Sequence, residues 1–94
     1  MTFDPAARFA VAADATAREV GDEIVILDVA AGLYFGLDGV GARAWTLFAA
    51  GRPAGEVADA ILAEYETTRD IVEADLAALV GELLERRLLV RAAP

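Results

Sequence analysis

Hydrophobic and polar positions divide the chain into a strand-rich front and a helix-rich back, with no internal repeat or linker between them. Residues 1–8 read as a loose arm, because Pro5 blocks regular structure. Phe9–Ala13 sets Phe9, Val11 and Ala13 against Ala10 and Ala12, a weak strand pattern since alanine carries little β preference. Glu23–Val29 is dense in β-branched residues, and Leu33–Leu37 follows after Ala30-Ala31-Gly32. Two such runs around a short glycine-containing loop predict a hairpin, with Gly32 in the left-handed position and Asp28 steadying the turn. Leu33, Phe35 and Leu37 share one face, assigned to the core, while Tyr34 and Gly36 share the other. Gly21-Asp22 predicts a turn between the first strand and the second.

Helical spacing takes over after Asp38, which suits an N-cap for a helix starting at Gly39. Val40, Ala44, Leu47 and Phe48 fall on one stripe with Trp45 beside it. Gly51-Arg52-Pro53 ends that helix and opens a second, in which Val57, Ile61 and Tyr65 recur at spacing four. Thr67-Thr68-Arg69-Asp70 resembles a capping box for a third helix. Its stripe is Val72, Leu76, Leu79, Val80 and Leu83, and Arg86 and Arg87 complement the dipole in its last turn. Leu88-Leu89-Val90 adds a short terminal strand or covers the core. Trp45, Phe48, Leu83 and Leu88 read as core. The prediction is an α+β domain: a three-stranded antiparallel sheet followed by three helices. In strand order 1-2-3 the third strand keeps an unpaired edge with no Lys, Pro or charge from Gly32 to Leu37. Sheets usually protect such edges, so this one is either covered by the chain or kept free for a partner strand.

Composition narrows the chemistry. Ninety-four residues, 57% of them hydrophobic, fit one folded domain, 1–94, and exclude a disordered chain. His, Cys, Ser, Lys, Asn and Gln are all absent. The usual activated nucleophiles and the commonest general base are therefore missing, as are zinc's preferred ligands. No Asp-x-Asp-x-Asp-Gly loop offers a calcium site. The expectation is no enzyme activity, no metal and no cofactor. A net charge of −8 argues against nucleic acid, which needs a basic face. No apolar run approaches the ~18 residues of a membrane span. Met1–Pro5 carries an acid and no basic cluster, so no secretory signal is expected and residence is expected to be cytoplasmic.

The run Ile26-Leu27-Asp28-x3-Gly32-Leu33-Tyr34-Phe35-Gly36-Leu37-Asp38, then Val40-Gly41-x3-Trp45-x-Leu47, resembles the PqqD-like proteins. Glu56-Val57-x3-Ile61-x3-Tyr65 and Val72-x2-Asp75-Leu76-x2-Leu79-x3-Leu83 continue the likeness across roughly residues 9–90. Each motif alone is weak; their order and spacing are more specific. The resemblance implies a winged helix–turn–helix-like shape and a recognition element for ribosomally made, post-translationally modified peptides. Such elements hold the leader of a precursor as an added strand beside the third strand, against the third helix. Leu37-Asp38-Gly39-Val40-Gly41-Ala42-Arg43-Ala44-Trp45 is most similar to the stand-alone form in lasso-peptide biosynthesis. There the expected partners are the precursor leader, a cysteine-protease-like leader peptidase and an ATP-dependent macrolactam cyclase.

That expectation gives a peptide-binding set of Gly32, Leu33, Tyr34, Phe35 and Gly36 on the strand and Val72, Asp75, Leu76 and Leu79 on the helix. Val72–Asp75–Leu79 is the border of the apolar arc taken as the groove wall. Asp75 reads equally as a solvated acid complementing the helix dipole, and Tyr34 equally as plain surface. Glu64, Glu66, Asp70 and Glu73 form a solvated face or an acidic rim attracting basic leader residues. Arg86, Arg87 and Arg91 are candidates for touching a partner enzyme. Two rivals stand beside this reading. A winged-helix transcription regulator would want a basic third helix, where this chain has Asp70, Glu73, Asp75, Glu82 and Glu85. A chaperone for another modified peptide or a quinone-cofactor precursor would differ only in its partner.

Overall fold

The computed structural model describes residues 3–93. In chain order it has β1 (Arg8–Val11), β2 (Ala15–Val20), β3 (Glu23–Asp28), β4 (Leu33–Leu37), α1 (Gly39–Ala49), α2 (Ala54–Glu64), α3 (Arg69–Glu85) and β5 (Leu89–Ala92). Strands β2-β3-β4 form an antiparallel sheet, and β1 pairs antiparallel with β5 in a separate ribbon. The architecture is the expected one, three antiparallel strands followed by three helices, in a winged-helix-like arrangement.

The first strand of the sheet is not the one the sequence suggests. Phe9 lies in β1, opposite Arg91 of β5, and its buried ring meets Phe48 edge-on with centroids 5.4 Å apart. The sheet's first strand is Ala15–Val20, which has no apolar alternation and is exposed along nearly its whole length. It forms because the turn at Gly21-Asp22, with Gly21 at φ +64°, folds it back on β3 in register from Ala15↔Asp28 to Val20↔Glu23. Pairing, rather than burial, makes it a strand.

The N-terminal arm packs on the domain from Phe3 onward; residues 1 and 2 lie outside the described residues. The Gly55 amide donates to the Pro5 carbonyl and the Ala54 amide to that of Ala7, both at 2.9 Å. The first amides of a helix have no partner within it, and the N-cap of α2 is Pro53, with no side-chain acceptor. The arm supplies the missing acceptors. It comes so close that a Cβ on Gly55 would sit 3.1 Å from Pro5 Cβ.

Three other local expectations shift. Asp38 occupies the N-cap of α1 in extended conformation, but its side chain makes no capping bond. Thr68, not Thr67, caps α3, accepting from the Ile71 amide at 3.4 Å. Arg86 is the C-cap of α3 and Arg87 lies one residue beyond, so neither is in the last turn. Arg87 stands at φ +59°, a conformation usually left to glycine. The Arg87 amide donates to Leu84 O and the Leu88 amide to Leu83 O, a Schellman ending with Leu83 and Leu88 both buried.

One hydrophobic cluster joins the inner face of the sheet, the three helices and the ribbon. Ile24 and Ile26 meet Trp45 and Phe48 of α1, Val57 and Ile61 of α2, and Val72, Leu76, Val80 and Leu83 of α3. Tyr65, placed on the α2 stripe by spacing, is instead its exposed C-cap, because the chain turns extended there. Among the described residues no polar or charged side chain is buried. Burial of apolar surface therefore carries the fold, at about 25 cal/mol per Å².

Candidate functional site

Strand β4 pairs with β3 on one side and with no other strand among the described residues. Register fixes its two faces, because residues opposite one another in a sheet share a face. Leu33, Phe35 and Leu37 lie opposite Asp28, Ile26 and Ile24 on the inner face; Tyr34 and Gly36 lie opposite Leu27 and Val25 on the outer. Phe35 and Leu37 pack against the core as the alternation predicts. Leu33 does not: it is 62% exposed, at the turn end of the strand. Tyr34, 74% exposed, points away from the core as expected. The hairpin turn is set by the Gly32 amide donating to Asp28 O at 2.8 Å and the Ala31 amide to Asp28 Oδ1 at 3.1 Å. Gly32 has φ +70°, so a side chain there would be strained.

Beside this edge, on the inner side, is a cleft of about 120 Å³ lined by Asp28, Leu33, Tyr34, Phe35, Arg86 and Leu88. The Arg86 guanidinium carbon lies 4.9 Å from the centroid of the Phe35 ring, and its Nε donates to Glu82 at 3.2 Å. Cation and ring thus lie together in the lining of the cleft. An apolar floor, a mixed-charge rim and a row of unpaired backbone groups can hold an extended segment. The lining of the cleft contains no His, Cys, Ser or Lys. Among the described residues no group of three or more acidic side chains converges on a metal position, and no helix is long and apolar enough to cross a membrane.

The strand half of the expected site, Gly32, Leu33, Tyr34, Phe35 and Gly36, is thus together at one edge. The helix half divides. Val72 and Leu76 are 3% and 1% exposed and belong to the core. Leu76 lines a small recess with Phe3, Phe9 and Phe48 on the ribbon side, away from β4. They are the centre of the apolar stripe, and the centre of a stripe packs inside. Asp75 is exposed and Leu79 half-buried at the margin of the core. On a helix, positions 75, 79, 82 and 86 stack in one row. Arg86, at the end of that row, is the member that reaches β4. Arg86, Leu88 and Asp28 are the lining residues that the sequence reading left out. The i, i+4, i+7, i+11 row from Asp75 was the available signal for Arg86.

The acidic rim is smaller than its residue count. Arg43 binds both carboxylate oxygens of Glu64, at 2.9–3.2 Å. That hydrogen bonding holds the Glu64 carboxyl below the usual carboxylate range and the Arg43 guanidinium above its ordinary value. Arg69 bonds Asp59 at 2.8 Å and lies 3.6 Å from Glu73. Of the four rim acids, Glu66 and Asp70 have no ion-pair partner among the described residues.

A winged-helix-like α+β fold with one open, uncharged sheet edge defines the class. Residues 23–89 match the family model described as coenzyme PQQ synthesis protein D (PqqD), and the chain belongs to that family. Two solved structures share the fold over most of both chains. TbiB1 in complex with the TbiA(beta) leader peptide is 38% identical with a TM-score of 0.83, covering 90% of this chain and 99% of that one. Lasso peptide synthetase B1 complexed with the leader peptide is 28% identical with a TM-score of 0.82, covering 88% and 98%. No match was found among curated proteins.

Proposed function

We propose that this chain is a non-catalytic recognition domain that binds the leader of a ribosomally made precursor peptide in lasso-peptide biosynthesis. The carrying observation is the open β4 edge, free of charge and proline, with the Phe35–Arg86 cleft beside it. A leader strand adds to that edge through main-chain hydrogen bonds, and every second side chain turns toward the cleft and the Asp75–Leu79–Arg86 row. The two leader-peptide complexes of similar fold support this reading. The domain then delivers the precursor to a leader peptidase and a macrolactam cyclase, in the cytoplasm, by raising local concentration and fixing register. Its lack of Ser, Cys, His and Lys is consistent with that passive role.

The family description favours a second reading, in which the precursor is that of a quinone cofactor. Both use the same edge, and the genes beside this one separate them. The test is isothermal titration of the full chain with a synthetic leader from the neighbouring precursor gene, without its core peptide. Saturable binding is expected. A leader held no better than its scrambled sequence would end the proposal.

A further inference from the structure

Arg87 is the one described residue other than glycine with a left-handed backbone, at φ +59°. Glycine stands at every other such position: Gly21, Gly32, Gly39 and Gly51. An L side chain there crowds its Cβ against the following carbonyl, and glycine would close the Schellman turn without that strain. Charge at the helix end does not account for the choice, because Arg86, one residue earlier, already complements the dipole. Nor does an internal ion pair. Arg43, Arg52, Arg69 and Arg86 each bind an acid of the chain, whereas Arg87 is in no ion pair among the described residues. A strained residue without an internal partner directs attention to a contact outside the chain. Arg87 lines an open cleft of about 650 Å³, between the β3–β4 turn (Asp28 and Ala30), the end of α3 (Leu84) and β5 (Val90 and Arg91). Asp28 also lines the Phe35 cleft beside β4, so the two clefts meet at the Leu33 end of that strand. Val29 and Leu33, both more than half exposed, stand at the same end.

Resting on leader binding at β4, we propose that this second cleft takes the segment of the precursor that continues past Leu33, and that Arg87 binds an aspartate or glutamate side chain within it. Whichever direction the added strand runs, one of its two continuations leaves the edge at Leu33. A guanidinium pairs a carboxylate through two parallel N–H donors, a match of charge and shape. Arg91 brings a second positive charge to the cleft, its guanidinium carbon 5.8 Å from the centroid of the Phe9 ring. Two acids share the lining: Asp28 is held to the turn by the Ala31 amide, and Asp14 is the internal competitor for Arg87. The left-handed backbone at Arg87 is then the strain accepted to keep a cation at the meeting point of the two clefts.

The test titrates the full chain and its Arg87→Gly variant with the synthetic precursor of the neighbouring gene, amidated at its C-terminus so that no terminal carboxylate stands in for a side chain. The variant should keep its circular dichroism spectrum and melt no lower than the parent, since glycine relieves the strained φ. If it melts early, Arg87→Asn, another residue that tolerates this conformation, takes its place. Precursor affinity is expected to fall about threefold. Replacing the precursor's Asp and Glu residues singly by Asn and Gln should find one position that costs the parent about threefold and the variant less than about 1.5-fold. Asp14→Asn should hold or raise the parent's affinity. Were Arg87 only a partner for Asp14, Arg87→Gly and Asp14→Asn would both leave precursor affinity unchanged. That result, or the lack of any acidic position coupled to Arg87, would overturn the second cleft while leaving leader binding intact. No binding to the parent chain would overturn both.

Discussion

Strands β2 and β4 flank the same central strand, yet they end the sheet differently. β2 carries Arg18 and Glu19 and is exposed from Thr16 to Val20, with Ala15 alone packed against the core. β4 has no charge from Leu33 to Leu37, anchors Phe35 and Leu37 against the core and has a cleft beside it. Charged residues on an edge discourage a further strand, and a bare apolar edge invites one. One sheet therefore contains both a guarded and an unguarded edge. The open one is where the end of α3 brings Arg86 beside the Phe35 ring.

The strongest way to break this contrast is to charge the flank of each edge in turn. Leu79→Arg puts a cation on the α3 row beside β4, where the long stem can lie along the surface and spare the fold. We expect an unchanged circular dichroism spectrum and a loss of ~2 kcal/mol in leader binding, the scale of a lost anchor contact. Ala17→Arg, on the inner face of β2 opposite Ile26, should leave affinity within about twofold, as remote surface changes do. A folded Leu79→Arg chain that binds like the parent would move the groove elsewhere.

Exchanging the guards is the next test. Tyr34→Lys gives β4 the kind of charge that protects β2, and leader affinity should fall about tenfold. Arg18→Val strips β2 instead. Its leader affinity should stay parental, while sedimentation velocity should show more self-association at high concentration than the parent does. Equal leader affinity in Tyr34→Lys and the parent would mean that edge charge does not govern access.

The same two strands show what a sequence can and cannot reveal. β4 was legible because its apolar residues alternate and sit on a core; β2 was not, because alanine, threonine and exposed charges leave no periodic trace of a strand held by pairing alone. The helices were readable for the same reason as β4. Their caps were displaced by a residue at Thr67–Thr68, since adjacent threonines offer the same hydroxyl. On the candidate site, the strand half followed from its missing charges. The helix half was only partly legible: periodicity marks Val72 and Leu76 as apolar but does not say that they face the core rather than the groove. Arg86 lay hidden because its role depends on where α3 ends, and that end is fixed by the unusual backbone at Arg87.

Salt should distinguish an apolar groove from an electrostatic one with a modest effect. Arg43 and Arg69 already engage Glu64, Asp59 and Glu73. Of the four rim acids that leaves Glu66 and Asp70 without an ion-pair partner among the described residues, a small charge with which to draw a basic leader. Raising ionic strength from low to about 0.5 M should change leader affinity by less than about threefold, since rim charges contribute little at equilibrium. A steep fall would assign binding to the acidic surface.

The smallest effect belongs to the β2 side. There Arg43, paired with Glu64, lines an open cleft with Glu19, Asp22 and Glu23 of the β2–β3 turn region, where we expect a contribution to stability and not to recognition. Because the folded Glu64 carboxyl lies below its ordinary value of 4.5, its stabilisation is complete above that unfolded value. It is lost as pH falls through the lower folded one. Glu64→Gln removes this linkage. Between about pH 6 and about pH 3 the parent's melting temperature should therefore fall slightly more than the variant's, the shift being small because both groups are solvent-exposed. Arg43→Ala should flatten the profile in the same direction. At neutral pH both variants should bind the leader as the parent does. A loss of leader binding in either, with the fold intact, would bring the β2-side cleft into recognition and erase the division of labour between the two edges.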